Sequence, residues 1–533
     1  MTWPDFVFNA ENWLLLSLGL ACGVGSGLIL LKKYGALPSR FRATDPRTEF
    51  ACAVAIWGVV LPLWIVILKM AQYRNFQLTS DSAHVVHYAW NAIHGHGFYS
   101  SMYGMPTLSG HFSLTSALLS PVLLLRNDVD AFVVLHGLAL GSSAFGVFLI
   151  AKRRTKSRLL PWLLALLTVA QPRFQDLTNT ILEDSVFAAP LFVWAAYFLE
   201  ADHPFLAIAS FALLLTTKEE ATAVLCGVGL FYFFREEKKR TLGGALVLSS
   251  VLLALLEIAL IARYRNALPA DRFTPGVGFF FPALGHSATE VYSNLLHRPW
   301  IFPIALVYPP ADFLPALHNL LYFGFLPLFA GAAALPAYCV WIPHQLASEH
   351  FNYHRLLGYY GAFALGPLLW ATVLGTTGVW NRLIPRRREA LAAYLLLIAA
   401  LGFLSGGTYN TRLMPSTWKR SVPKILPRIP PDSKLWCEGY LTPQFAMRRY
   451  IKYLPNSLPN DIFERDLFLP DQVLLSTYWM QLSTPSTVSR IMEFLRRGNF
   501  QVVFRENDLI LFERKGASFG APAVPLGADF QTK

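Results

Sequence analysis

The feature that most narrows what this chain can become is a series of apolar stretches whose intervening gaps are basic on one side only. The stretches fall near residues 12–31, 50–70, 130–150, 159–172, 185–199, 205–217, 221–234, 242–262, 317–330, 331–345, 355–377 and 390–405. Crossing the hydrocarbon layer takes about 20 apolar residues, fewer where a helix is sheltered in a bundle, so the expected fold is an α-helical polytopic membrane protein with about 10–13 transmembrane helices. Composition agrees. Of 533 residues, 54% are hydrophobic and 15% charged, a balance that leaves too little polar surface for a soluble core.

The basic clusters set an orientation. Lys32, Lys33, Arg40, Arg42 and Arg47 form the first, and Lys152 to Arg154 with Lys156 and Arg158 the second. Arg235 to Arg240 and Arg386 to Arg388 follow. If the spans alternate, all of these lie on one face, which the positive-inside rule makes cytoplasmic. The formal charge of +12 then needs no nucleic acid, because it sits in gaps between spans and not along a groove for phosphates. Cys22, Cys52, Cys226 and Cys339 lie within apolar stretches and Cys437 stands apart, so neither a disulfide framework nor a zinc spacing emerges. The first stretch, Asn12 to Leu31, follows Asp5 and Glu11 without a basic leader and reads as a retained anchor.

The expected organisation is a membrane domain over residues 1–405, with outward loops at 72–130 and 263–318. A linker at 406–431, a small α/β extracytoplasmic domain at 432–516 and a tail at 517–533 follow. In the small domain, KLWCEGY reads as a strand, PQFAMRRYIKYL as a helix and QVLLSTYW as a strand. SRIMEFLRRG then reads as a helix, and QVVFR with LILFE as a hairpin around Asn507-Asp508. Within the first loop, the apolar piece Phe112 to Leu125 is short and holds Pro121, which favours an interfacial or re-entrant helix over a crossing.

That loop also holds TSDSAHVVHYAWNAIHGHGFYSS, Thr79 to Ser101. On a helix, Asp81, His84, Tyr88 and Asn91 share one face, opposite Val85, Val86, Ala89 and Ala92. The pattern is that of an amphipathic helix lying in the outer interface. Asp81 has two readings. It can serve the helix terminus, with Thr79 or Ser80 as cap, or it can be a site carboxylate. Asp81-x2-His84-x2-His87 could put metal ligands on one face but lacks a third anchored ligand, so a divalent metal stays open and none is assigned. His94 and His96 flank Gly95 as turn residues. Lys218-Glu219-Glu220 lies between two spans, either as a solvated turn or as the rim of a polar cavity, since buried charges in a membrane must face water or one another. Glu183-Asp184, Glu349 to Arg355, and Arg263, Arg265, Arg272 and Arg298 fall on the same outward side, as a site handling an anionic lipid headgroup would require.

The order Asp81, Trp90-Asn91, Gly97-Phe98-Tyr99-Ser100, His111-Phe112-Ser113 and Lys218-Glu219-Glu220, with the tail segments IPPDSKLWCEGYLTP, YIKYLP and GNFQVVFRENDLILFERKG, resembles the DUF2079 membrane proteins. These are usually grouped with the GT-C glycosyltransferases. The resemblance runs from about Phe50 to Gly516. Three departures stand out: Val86 replaces a second acid of the first motif, His87 replaces a Gln, and LEDSV replaces a Phe-His-Pro element near Glu183. The resemblance implies sugar transfer at the outer face of a bacterial inner membrane, from a polyprenyl-phosphate sugar to a glycan, lipid or protein acceptor. It implies Asp81 as catalytic base; His84, Trp90, Asn91, His111, Lys218, Glu219, Glu220, Arg263 and Arg355 are the candidates for binding substrate, with Lys218, Arg263 and Arg355 suited to the departing phosphate. Two other classes compete. A non-catalytic envelope scaffold fits the departures. A lipid or glycan transporter would need polar groups through the bundle, where Glu257 is the conspicuous mid-span charge.

Overall fold

The computed structural model describes residues 45–126, 128–180, 182–235, 237–266, 281, 283–307, 310–347, 356, 358–406, 418–455 and 468–516. The expected 12–31 anchor, Lys32 to Arg42, Arg272, Glu349 to Arg355 and the 517–533 tail lie outside these residues. Among the described residues, six helices are long and apolar enough to cross a membrane: Pro46–Arg74, Val129–Arg154, Glu237–Arg265, Leu326–Leu346, Gly358–Arg382 and Pro385–Gly406. Shorter apolar helices, Leu159–Ala170, Ala188–Glu200, Pro204–Leu215 and Ala221–Arg235, pack among them.

The helix over 358–382 is buried on nearly every side at the bundle centre. The helix over 240–266 instead bares Leu248, Leu252, Leu255, Leu256 and Ile258, the all-round apolar surface expected of a lipid-facing span. The helix over 46–74 widens into π-helical turns at Val54–Val60, just before Pro62. The proline cannot donate to the preceding turn, and its ring needs the extra space.

Small residues let these helices approach. A Cβ on Gly141 would stand 2.4 Å from the Pro62 Cα, and one on Gly227 2.4 Å from the Pro336 Cα. Backbone contact of this kind supplies the dispersion that holds helices together in lipid. Gly141→Leu is therefore expected to lose about 1–3 kcal/mol through overpacking, seen as a lower melting temperature in detergent, whereas Gly378→Leu, where nothing stands within 4 Å, should leave it unmoved.

The basic gaps gather at one end. Arg153 donates to the Glu200 carbonyl at 2.8 Å, Asn381 to the Arg154 carbonyl at 3.1 Å, and Arg154, Arg235 and Arg382 line a cleft of about 590 Å³. At the other end sit the 72–126 loop, the 179–187 and 216–220 turns, and a five-stranded sheet. Its strands are β3 (Leu435–Glu438), β4 (Ile451–Leu454), β5 (Gln472–Ser476), β6 (Phe500–Glu506) and β7 (Leu509–Arg514), β1 (Tyr99–Ser100) and β2 (Met105–Pro106) forming a separate small pair. The order is β4-β3-β5-β7-β6, with β3 parallel to both neighbours and β7 antiparallel to both of its own. One face packs on the Pro485–Arg497 helix through Trp436, Val473, Leu475, Ile491 and Leu495. The other packs on the membrane domain, where Leu435, Cys437, Leu474 and Leu511 join Ala83, Val86 and Ala89 in one core.

Local readings differ at several places, among them QVLLSTYW, where strand β5 ends at Ser476 and Thr477–Leu482 is a short helix. The segment over 443–454 is a single 3₁₀ turn, Thr442–Phe445, followed by strand β4, because Ile451 to Leu454 gain a parallel partner in β3 that outweighs helix propensity. The piece over 112–125 breaks into Thr115–Leu119 and Val122–Leu125 around Pro121, too short to cross. The 80–93 helix is not a surface helix. Ser80, Ser82, Ala83, Val85, Val86, His87, Tyr88, Ala89 and Asn91 are all buried, because the sheet covers one side and the 115–119 helix another.

Candidate functional site

The helix Ser80–Ile93 places Asp81 in its first turn, where the backbone donors of the helix start favour an acid. Thr79 occupies the cap position without a side-chain bond. The Asp81 carboxylate is exposed, and Oδ1 accepts the Tyr103 hydroxyl at 2.8 Å. That contact fixes the carboxylate's aim. Burial and then the nearby Asp81 push the Tyr103 phenol far up, so it stays a donor.

One turn on, His84 Nδ1 lies 2.9 Å from the Ser100 hydroxyl, and its ring packs edge-on against Tyr103. Burial holds its pKa at about 3, with His87 and His111 adding to the depression, so it is neutral. Tyr88 donates to the Ser113 carbonyl at 2.7 Å and so ties the helix to the loop that follows.

Two further carboxylates come from the 182–187 turn. Asp184 is buried and accepts from the Ser113 and Ser116 hydroxyls. Burial raises its pKa and the two serines pull it back. Glu183 is driven to about 8, chiefly by burial; Lys218 opposes this, while Asp184, Asp81 and Glu220 add to it. Glu183 is thus protonated near neutral pH and can donate. The turn is braced from below: Lys69 donates to the Thr180 carbonyl at 3.1 Å, Gln72 to Asn179 at 2.8 Å, and Ser82 accepts the Leu182 amide at 2.8 Å.

The Lys218-Glu219-Glu220 turn faces this group. Lys218 is buried, lies 3.8 Å from Glu220 and sits over the Tyr359 ring at 5.7 Å. His344 approaches the other Glu220 oxygen at 3.6 Å. Glu219 accepts from the Phe112 amide at 3.1 Å and meets His111 Nδ1 at 2.8 Å. Burial disfavours its charge, but His111 and Lys218 outweigh that and hold its pKa at about 2.

Asp81, His84, Glu183, Lys218 and Glu220 therefore form one electrostatic neighbourhood, joined to His111 and Glu219. Asn91 is committed elsewhere: it is buried and donates to the Tyr99 carbonyl and to His87. Trp90 stacks on His94, ring centroids 4.0 Å apart. Arg263 is exposed on the last turn of its helix, and it is Arg265 that reaches the loop, donating to the Ser109 carbonyl at 3.3 Å. Arg355 lies outside the described residues. Among those residues no three His, Cys, Asp or Glu side chains converge to hold a metal.

Several contributors escaped sequence reasoning. Lys69 carried a usable signal, a lysine inside an apolar stretch. Tyr103 and Ser116 carried none, whereas Ser113 stands in the His111-Phe112-Ser113 motif.

His87 is the hinge of the arrangement. It is fully buried, and its Nδ1 faces the Ala446 carbonyl at 3.0 Å, so that nitrogen carries the proton. Nε2 accordingly accepts, from the Ser101 amide at 3.2 Å and from Asn91 at 3.1 Å. The Ser101 hydroxyl in turn donates to the Ile451 carbonyl at 2.9 Å and accepts the Ile451 amide at 3.0 Å, closing the exposed edge of β4. The helix carrying Asp81 is thereby locked to the C-terminal sheet.

Glu183 gives a pH test. An acid whose folded pKa stands above its unfolded one binds more protons when folded, so stability falls as pH rises from about 4.5 to about 8. Glu183→Gln should remove roughly 1–3 kcal/mol of that decline, read from melting temperatures across the range.

No curated protein matches the chain. Among solved structures, the crystal structure of ArnT from Cupriavidus metallidurans in the apo state is similar over 86% of this chain and 98% of that one, at 12% identity and a TM-score of 0.45, too loose a likeness to bear on the reaction. The model of the DUF2079 family, described as a predicted membrane protein, matches residues 81–511, a span that opens on Asp81 and closes within β7. The chain thus belongs to the DUF2079 family of membrane proteins.

Proposed function

We propose that this protein is a membrane glycosyltransferase that moves a sugar from a polyprenyl-phosphate donor to an acceptor hydroxyl at the extracytoplasmic face, with Asp81 as base. The observation that supports the reading is the setting of Asp81: an exposed carboxylate held by Tyr103, in the electrostatic neighbourhood of Glu183, whose pKa burial raises to about 8, and of the buried Lys218. The acceptor oxygen attacks the sugar's anomeric carbon while Asp81 takes its proton. The bond from that carbon to the lipid phosphate breaks, and the phosphate leaves with the electron pair. Lys218 and Arg265 are candidate cations for the departing phosphate, and Glu183 is a candidate hydrogen-bond donor for it. Arg263, Arg355 and His111 are further candidates for binding donor or acceptor. The basic end of the bundle would face the cytoplasm and the sheet the outside, as the charge bias predicts.

The experiment is a transfer assay on the full chain in proteoliposomes, offering radiolabelled polyprenyl-phosphate hexoses and pentoses with delipidated envelope as acceptor. Label moved into the acceptor fraction supports the reading. Label that crosses the bilayer still attached to its lipid would replace it with transport.

A further inference from the structure

A cavity of about 300 Å³ opens where the C-terminal domain meets the membrane domain, lined by Pro427, Pro430, Pro431, Phe445, Met447 and Arg448. Arg448 is 6% exposed. Its guanidinium donates through Nε to the Phe445 carbonyl at 3.0 Å and through Nη1 to the Pro430 carbonyl and the Ser433 hydroxyl, each at 3.3 Å. All three partners are neutral. Among the described residues no carboxylate stands within ion-pair distance of it. Burial lowers its pKa to about 10, still far above neutrality, so it remains a cation.

A buried charge is normally paired, because desolvating an ion without a partner is costly. Here the described residues supply no balancing charge. The surroundings deepen the demand: residues 418–449 hold seven basic residues, Lys419, Arg420, Lys424, Arg428, Lys434, Arg448 and Arg449, against Asp432 and Glu438. Lys419, Arg420 and Arg428 are exposed, and Arg428 lies between the lining residues Pro427 and Ile429.

The position selects the anion's source. Gln444 donates to the Tyr73 carbonyl at 3.1 Å, in the last turn of the Pro46–Arg74 span, and Trp418 packs edge-on against Phe76 just beyond it. The cavity therefore sits where a spanning helix leaves the hydrocarbon. Leu426, an exposed apolar residue, forms part of its lining. Guanidinium groups bind phosphate oxygens in a fork, and a basic patch at this depth attracts anionic headgroups.

We infer that the cavity at Arg448 binds the phosphate of a membrane lipid headgroup, fixing the C-terminal domain to the bilayer surface. The site is apart from Asp81 and stands whether or not the chain transfers a sugar.

The test uses the full chain, delipidated in detergent and titrated separately with dioleoylphosphatidylglycerol and with inorganic phosphate, against chloride at matched ionic strength. Native mass spectrometry counts bound lipid and thermal melts report stabilisation. The expected result is one tightly held phosphatidylglycerol that raises the melting temperature, with affinity about tenfold weaker in Arg448→Met. Arg448→Lys, which keeps the charge and loses the fork, should fall between them. Stabilisation by inorganic phosphate alone, abolished in Arg448→Met, would retain the anion site and overturn the lipid as its source. A wild-type chain that neither anion stabilises, or an Arg448→Met chain that responds as wild type does, would overturn the site. The wild-type titration decides even if both variants fail to fold.

Discussion

Asp81→Asn is expected to abolish sugar transfer, with a loss of about 10²–10⁴-fold in kcat if the carboxylate acts as general base. KM for the donor should change little, because the amide keeps the shape and the Tyr103 contact. The fold should survive: Asp81 is exposed, and its described hydrogen bond comes from Tyr103 alone. Transfer at the wild-type rate in a folded Asp81→Asn protein would remove this residue from the mechanism. Tyr103→Phe separates aim from chemistry. It leaves the carboxylate present but unanchored, and a partial loss is expected, smaller than that of Asp81→Asn.

The second large effect belongs to His87. His87→Leu fills similar space but strips partners from the Ala446 carbonyl, the Ser101 amide and Asn91. Each buried polar group left alone costs about 1–3 kcal/mol, so a total of about 3–5 kcal/mol is expected. Hydrogen exchange should show β4 and the 80–93 helix opening together, while β6 and β7 stay protected. A double-mutant cycle with Ser101→Ala should be strongly non-additive, since both residues serve one network. Opening confined to the helix would show that the sheet does not depend on this contact. Acid should weaken the same lock. The folded pKa of His87, about 4, lies below its ordinary 6.5, so the unfolded chain binds more protons between those values and stability is lost as pH falls through them. His87→Leu should flatten that acid slope.

Membrane character was legible from the sequence because hydropathy acts locally: twenty apolar residues announce a span without reference to anything distant. The hairpin around Asn507-Asp508 was legible for a similar reason, since Asn507 adopts φ 51° in a tight turn between two β-rich runs. Strand β4 was not. Ile451 to Leu454 belong to an apolar, basic segment with a plausible helical period, and only the pairing with Leu435 to Glu438 makes them a strand. His87 shows the same limit in the candidate site. It occupied a place in a suggestive histidine pattern, yet its chemistry is set by a carbonyl 359 residues away. Asp81 was legible as a helix-start acid in an outward loop, but its anchoring by Tyr103 and the neighbouring protonated Glu183 depend on side chains brought in by folding.

The same separation in sequence imposes an order on biogenesis. The 80–93 helix is among the first described parts of the chain to be made, while Ala446 and Ile451 are among the last. At about 5–20 residues per second, ribosomes take roughly 20–70 s to cover that interval. Through that time His87 and Ser101 lack their sheet partners, and the helix carrying Asp81 has nothing to lock it. If Asp81 serves the proposed transfer, competence would then arrive only when the finished C-terminal sheet docks, and a truncated product is expected to be inert.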